Sequence, residues 1–173
     1  MDAKSGSDMT NELINGNLPA VEFKNLLDKA LRQASDVYRN SIETVEREGR
    51  KTDSDICDPA AYSISVENNE TLIVDGPAGT IIIVAYPRQG AIRFVSKYRV
   101  TNAVSYADLI QLVNKINLQT LGIRACVPTQ IKGIVFDYTL YLWGGVTPAS
   151  IVVSLQEFDR LVQEVVRDNS GVF

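Results

Sequence analysis

The sequence predicts an α+β fold in which helices pack on one face of an antiparallel β-sheet, in the order helix, strand meander, helix, two strands, helix. Three observations carry this. Apolar residues recur at three- and four-residue steps in three separate segments, the mark of helices buried along one side. Between the first two lie four β-rich runs, joined by breaks too short for a parallel crossover. Two more β-rich runs precede the last helical segment.

With 173 residues, 45% of them hydrophobic and 22% charged, the chain has the length and composition of one globular domain with a real core. Residues 1–18 lack periodicity and are rich in Ser, Asn, Asp and Gly, so a mobile tail is expected there, with a single α+β domain over 19–173.

The first helix follows from Phe23, Leu26, Leu27, Ala30, Leu31, Ala34, Val37, Tyr38 and Val45, which form one broad stripe from Pro19 to about Glu48. Its length suggests that one end projects or packs on a partner. Gly, Pro and Asp make Gly49–Ala61 a loop. Strands are expected at Tyr62–Glu67, Thr71–Asp75, Thr80–Tyr86 and Ala91–Val100, separated by turn residues in NNE, GPAG and PRQG. Ser105, followed three residues later by Asp108, makes a capping-box-like start for a helix with Leu109, Leu112, Val113 and Ile116 on its apolar face. Ile123–Val127 and Ile131–Trp143 read as strands. Thr147 as N-cap and Pro148 in the first turn open a final helix, which buries Ile151, Val152, Leu155, Phe158, Leu161, Val162, Val165 and Val166.

Composition narrows the chemistry. There is no histidine, which removes the usual near-neutral general base, the Ser-His and Cys-His dyads and the commonest metal ligand. Enzymatic activity is therefore not expected. Cys57 and Cys126 are far from any metal-ligand spacing, and no metal or cofactor is expected. Asp53, Asp55 and Asp58 suggest calcium, but the sixth and twelfth positions of an EF-hand loop would be Asp58 and Ile64 rather than Gly and Glu. Gly144-Gly145, between a strand and a helix N-terminus, has the parts of a phosphate cradle without the spacing of a P-loop or a dinucleotide fingerprint, and reads as a turn.

A net charge of −4 argues against a nucleic-acid partner held through phosphates. No run reaches the roughly 18 apolar residues of a membrane span, and the polar start is unlike a secretory signal, so no membrane partner and a cytoplasmic setting are expected.

The strand faces point to binding. Alternation places Ile92, Phe94 and Tyr98 on one side of their strand and Arg93, Lys97 and Arg99 on the other. That basic row either meets an acidic peptide or is simply a solvent side. The last strand has a core row of Ile134, Phe136, Tyr138, Leu140 and Leu142. Its other face, with Val135, Asp137, Thr139, Tyr141 and Trp143, is aromatic enough for an interface unless the first helix or the tail covers it. Thr80–Tyr86 is apolar on both faces, which implies cover on both sides, from this chain or a second subunit.

The stretch from TIIIVAY through YADLIQLVNKINLQTLGIRACV to YLWGGVTPASIVVSLQEFDRLVQEVV resembles the YbjN-type bacterial sensory transduction regulator family, whose fold is similar to that of type III secretion chaperones. The resemblance rests on the helix ending in Asn114 and Asn117, the strand with Arg124, and the aromatic strand that turns through Gly144-Gly145 into the helix bearing Phe158. It spans roughly 60–168. It implies helices on an antiparallel sheet, frequent dimerisation, no enzymatic activity, and a Gly144-Gly145 turn that folds the last helix back onto the sheet.

The reading favoured is a non-enzymatic protein-binding module, chaperone-like or a regulatory adaptor, with Tyr141 and Trp143 as apolar anchors, Arg93, Lys97 and Arg99 as a charged rim, and a partner protein or a homodimer mate as occupant. The alternative is a small-ligand-sensing domain that binds between sheet and helix.

Overall fold

The computed structural model describes residues 19–47, 59–77 and 79–173, with the backbone alone for residues 38–47 and Pro87. The expected tail at residues 1–18, the triad Asp53, Asp55 and Asp58, and Cys57 lie outside the described residues. So do the side chains of Tyr38 and Val45.

Helix α1 (Ala20–Arg47) leads through a short 3-10 turn, Pro59–Ala61, into β1 (Ser63–Asn68), β2 (Thr71–Gly76), β3 (Gly79–Tyr86) and β4 (Ala91–Arg99). These pair antiparallel in succession. Helix α2 (Tyr106–Gln119), β5 (Arg124–Cys126), β6 (Gly133–Tyr141) and α3 (Pro148–Asp168) complete the chain. The sheet order is β1-β2-β3-β4-β6-β5. After α2 the chain lays the short β5 at the edge and returns β6 antiparallel between β4 and β5. The fold is the α+β arrangement expected from the sequence.

Local rules account for the boundaries. The Ser105 hydroxyl accepts from the Asp108 amide at 3.2 Å and caps α2. Thr147 does the same for α3 through the Ser150 amide at 3.1 Å, with Pro148 in the first turn. Gly144 and Gly145 have φ of +82° and +84°, a left-handed pair that side chains resist, and the Gly145 amide donates to the Leu142 carbonyl at 2.9 Å. The glycines form the turn into α3.

All three helices bury their stripes on one sheet face. Phe23 and Leu27 of α1, Leu109 and Val113 of α2, and Ile151, Leu155 and Phe158 of α3 join Leu72, Val74, Ile81, Ile83, Phe94, Ile134 and Phe136 in one core. Phe94 stacks on Tyr138 and Phe158 at ring-centroid separations of 5.8 and 6.0 Å, which ties the central strands to α3. Val37 departs from the expected stripe: it is exposed, because α1 turns its core-facing side to Ser35 at this level.

The opposite face is built differently. Register aligns Ser65, Ile73, Ile82, Val95, Asp137 and Arg124 in one row across all six strands. Ile73, Ile82, Val84, Val95 and Val135 are half-buried and stand outside the core cluster. Helix α1, one of the two elements expected to cover this face, packs with β1, β2 and α3 on the core side instead. The double-sided apolar pattern of β3 therefore records one face under helices and one that, among the described residues, is shielded by its own neighbours and the stems of long side chains.

Candidate functional site

At one end of the open face, Tyr141 closes β6 opposite Ala91, and Trp143 follows it. Trp143 is 75% exposed and Tyr141 55%, yet the two rings are held together, with centroids 4.8 Å apart and planes tilted by 32°. The indole N–H of Trp143 donates to the Gln89 carbonyl at 3.1 Å across the 3-10 turn Pro87–Gln89, and the Leu142 amide donates to the Gly90 carbonyl at 2.8 Å. Gly90 is required beside them: its φ is +56°, and a Cβ there would sit 3.0 Å from both Cδ1 and Nε1 of the indole. The aromatic pair is thus positioned while most of its surface stays in water. Tyr86, opposite Ala91 on β3, is exposed on the same end of the face.

The middle of the face is ionic. Asp137 is 3% exposed and accepts from two guanidiniums, that of Arg93 on β4 and that of Arg124 on β5. Arg124 contributes its Nε to Oδ1 at 3.2 Å and its Nη2 to Oδ2 at 3.1 Å. The hydrogen bond to Asp137 is the main reason that the Arg93 guanidinium holds its proton more tightly than usual. Two bases thus share one carboxylate and leave net positive charge on the surface.

Of the residues singled out in the sequence, Tyr141 and Trp143 come together at one end. Arg93 lies diagonal to Tyr141, since it pairs with Thr139, but its charge is engaged by Asp137. Lys97 and Arg99 lie farther along β4, toward the opposite end. The partners that single-strand alternation missed are the Gln89 carbonyl, Arg124 as a second base on Asp137, and Lys132 near Arg99. Each arrives from another segment. The strict opposition of Arg124 to Asp137 depends on β5 pairing with β6, which no local pattern specifies.

Among the described residues there is no group of three or more His, Cys, Asp or Glu side chains placed to hold a metal, and no helix long and apolar enough to cross a membrane. Cys126 is exposed on the edge strand.

Residues 57–168 match a family model described as "YbjN: Putative bacterial sensory transduction regulator". Among solved structures, the crystal structure of YbjN, "a putative transcription regulator from E. coli", superposes with a TM-score of 0.55 at 17% sequence identity, covering 67% of this chain and 89% of that one. At this identity the likeness speaks for the fold alone. No curated protein matches the chain. Because the family match extends over residues 57–168 of 173, well over half the sequence, the chain belongs to the YbjN family.

Proposed function

We propose that this protein is a non-enzymatic regulatory module that holds a segment of a partner protein on the open face of its sheet. Tyr141 and Trp143 serve as the apolar anchors, and the bases along β4, Arg93, Lys97 and Arg99, flank the bound segment. The observation that carries this is the exposed but fixed aromatic pair. Large aromatics held in one orientation lose little entropy on contact, and such side chains dominate interface energetics. The half-buried aliphatics Ile82, Val84 and Val95 extend the apolar surface from that pair along the sheet.

The test is a double change, Tyr141→Ser with Trp143→Ser, in the full chain used as bait in lysate of the source cell, with light scattering on the bait alone. Stoichiometric capture of one partner protein, lost in the double variant while circular dichroism stays unchanged, is the expected result. A wild-type dimer that becomes monomeric in the double variant assigns the face to a second copy. Loss of the fold instead would make the two rings structural and end the proposal.

A smaller observation favours a ligand-sensing reading. A cavity of about 300 Å³ between α3 and the sheet is lined by Tyr138, Phe158, Val153, Leu161 and Leu121, at the lower end of the size range for small-molecule sites. That reading expects a monomer whose melting temperature rises with a small apolar metabolite.

A further inference from the structure

The end of the open face remote from Trp143 has a different chemistry. Lys97 and Arg99 extend from the C-terminal end of β4, and Lys132 from the segment just before β6. Together with Val100 and Ile131 they line a concavity of about 550 Å³, and among the described residues no acidic side chain lines it. None of the three bases takes part in an ion pair among the described residues. The Lys132 ammonium donates to the Asn102 carbonyl at 2.9 Å, which orients the charge without neutralising it. In the middle of the same face, by contrast, Arg93 and Arg124 are both engaged by Asp137. In a chain with 21 acids against 17 bases, three cations around one concavity with no ion-pair partner among the described residues reverse the overall sign locally.

We infer that this concavity receives the acidic end of the partner segment whose apolar end rests on Tyr141 and Trp143. The inference rests on the reading of the sheet face proposed above and adds the chemistry of the occupant. Ala91 pairs with Tyr141, while Lys97 and Arg99 stand six and eight positions farther along β4. At about 3.4 Å per residue the two ends are roughly 20 to 27 Å apart. An extended chain covers that distance in about six to eight residues. The occupant is therefore a segment with an aliphatic or aromatic side chain at one end and a cluster of Asp or Glu about six to eight residues away.

Carboxylates suit the site because the Arg99 guanidinium offers a planar fork for bidentate contact and the lysines add mobile point charges. Ile131, exposed beside the charges, adds apolar surface at the rim of the contact. Exposed ion pairs are individually weak and are screened by salt. The acidic end accordingly sets orientation and association rate, while the aromatic end supplies most of the affinity.

The experiment is selection of displayed random peptides about 12 residues long, enough to span the face with a margin. They are selected in parallel on the full wild-type chain, on a triple variant Lys97→Glu, Arg99→Glu, Lys132→Glu, and on the Tyr141→Ser, Trp143→Ser double variant. The wild-type chain is expected to enrich peptides that combine an apolar residue with an acidic cluster at that spacing. A selected peptide should bind the triple variant about tenfold more weakly at low salt, with the difference shrinking as salt rises. The triple variant should itself enrich basic clusters in place of acidic ones. Apolar peptides without acidic enrichment, sensitive to the double variant, would overturn this inference and leave the aromatic site standing. Acidic peptides indifferent to the double variant would overturn the two-ended occupant. If nothing is enriched on the wild-type chain, both readings fall. Should the triple variant not fold, Lys97→Gln alone gives the same readout at reduced size, and unchanged binding of the acidic peptide would then refute the inference.

Discussion

The Trp143 indole N–H donates to the Gln89 carbonyl at 3.1 Å, so a side chain just beyond the end of the last strand is fastened to the turn between β3 and β4. That link joins residues 54 positions apart and holds a ring that is otherwise mostly in solvent. It converts an exposed tryptophan into a fixed one, the state a preorganised contact surface needs.

Gly90 allows this arrangement, and Gly90→Ala should undo it. The new methyl group would press on the indole from 3.0 Å, and the left-handed φ of +56° is unfavourable for alanine. Stability should fall by about 1–2 kcal/mol. Trp143 is the sole tryptophan, so its fluorescence reports on the site directly: steady-state anisotropy should drop as the ring loses its anchor. Unchanged anisotropy would mean that Gly90 is not what positions the ring.

Asp137 is the second point to probe. It is nearly inaccessible, and its carboxylate serves both Arg93 and Arg124. Asp137→Asn leaves two guanidiniums facing a neutral amide. Both arginines retain contact with water, so the loss should be about 1–3 kcal/mol, below that for a fully buried pair. Urea unfolding should show a lower midpoint with an unchanged slope.

On the core side, the Tyr62 hydroxyl donates to Asp159 Oδ2 at 2.8 Å, and the Gln163 amide donates to the same oxygen at 3.3 Å. This contact joins the start of the sheet to α3. Tyr62→Phe removes one donor from a buried carboxylate and should cost about 1–3 kcal/mol by thermal unfolding. Gly76 lies directly beneath the ring, with a hypothetical Cβ only 2.5 Å from Tyr62 Cε1, so Gly76→Ala should be destabilising as well.

The acid response of α3 should run through Glu157. Hydrogen bonds from the Arg160 guanidinium, at 2.7 and 2.9 Å, hold the Glu157 carboxyl below its usual range. A depressed acid contributes its stability above the unfolded value of about 4.3, and loses it as pH falls through the lower folded value. Arg160→Gln should therefore remove that small increment near neutrality, converge with the wild-type chain below the folded value, and so flatten the acid limb of the stability profile. Both side chains are more than a third exposed, so the effect is small and should fade with added salt.

The sequence alone determined the elements. Helix α1 shows in the spacing of Phe23, Leu27, Ala30 and Leu31, and α2 and α3 in the caps Ser105 and Thr147. The four meander strands show in alternation broken by Gly, Pro and Asn, and the turn at Gly144-Gly145 in the need for positive φ. All of these are properties of neighbours in the chain, governed by backbone geometry and by periods of two and 3.6 residues. Alternation also put Arg93, Lys97 and Arg99 on one face, and Tyr141 and Trp143 on one face of their own strand. Tertiary structure alone decided what those faces meet. The return of β6 beside β4, after α2 and β5, placed Asp137 within reach of Arg93, so one base of a chemically uniform row is engaged while Lys97 and Arg99 form no ion pair among the described residues. The same pairing put Gln89 under Trp143 and left the second face outside the helices. Contacts between distant segments depend on which strands pair and which surface the helices choose, and local periodicity carries neither.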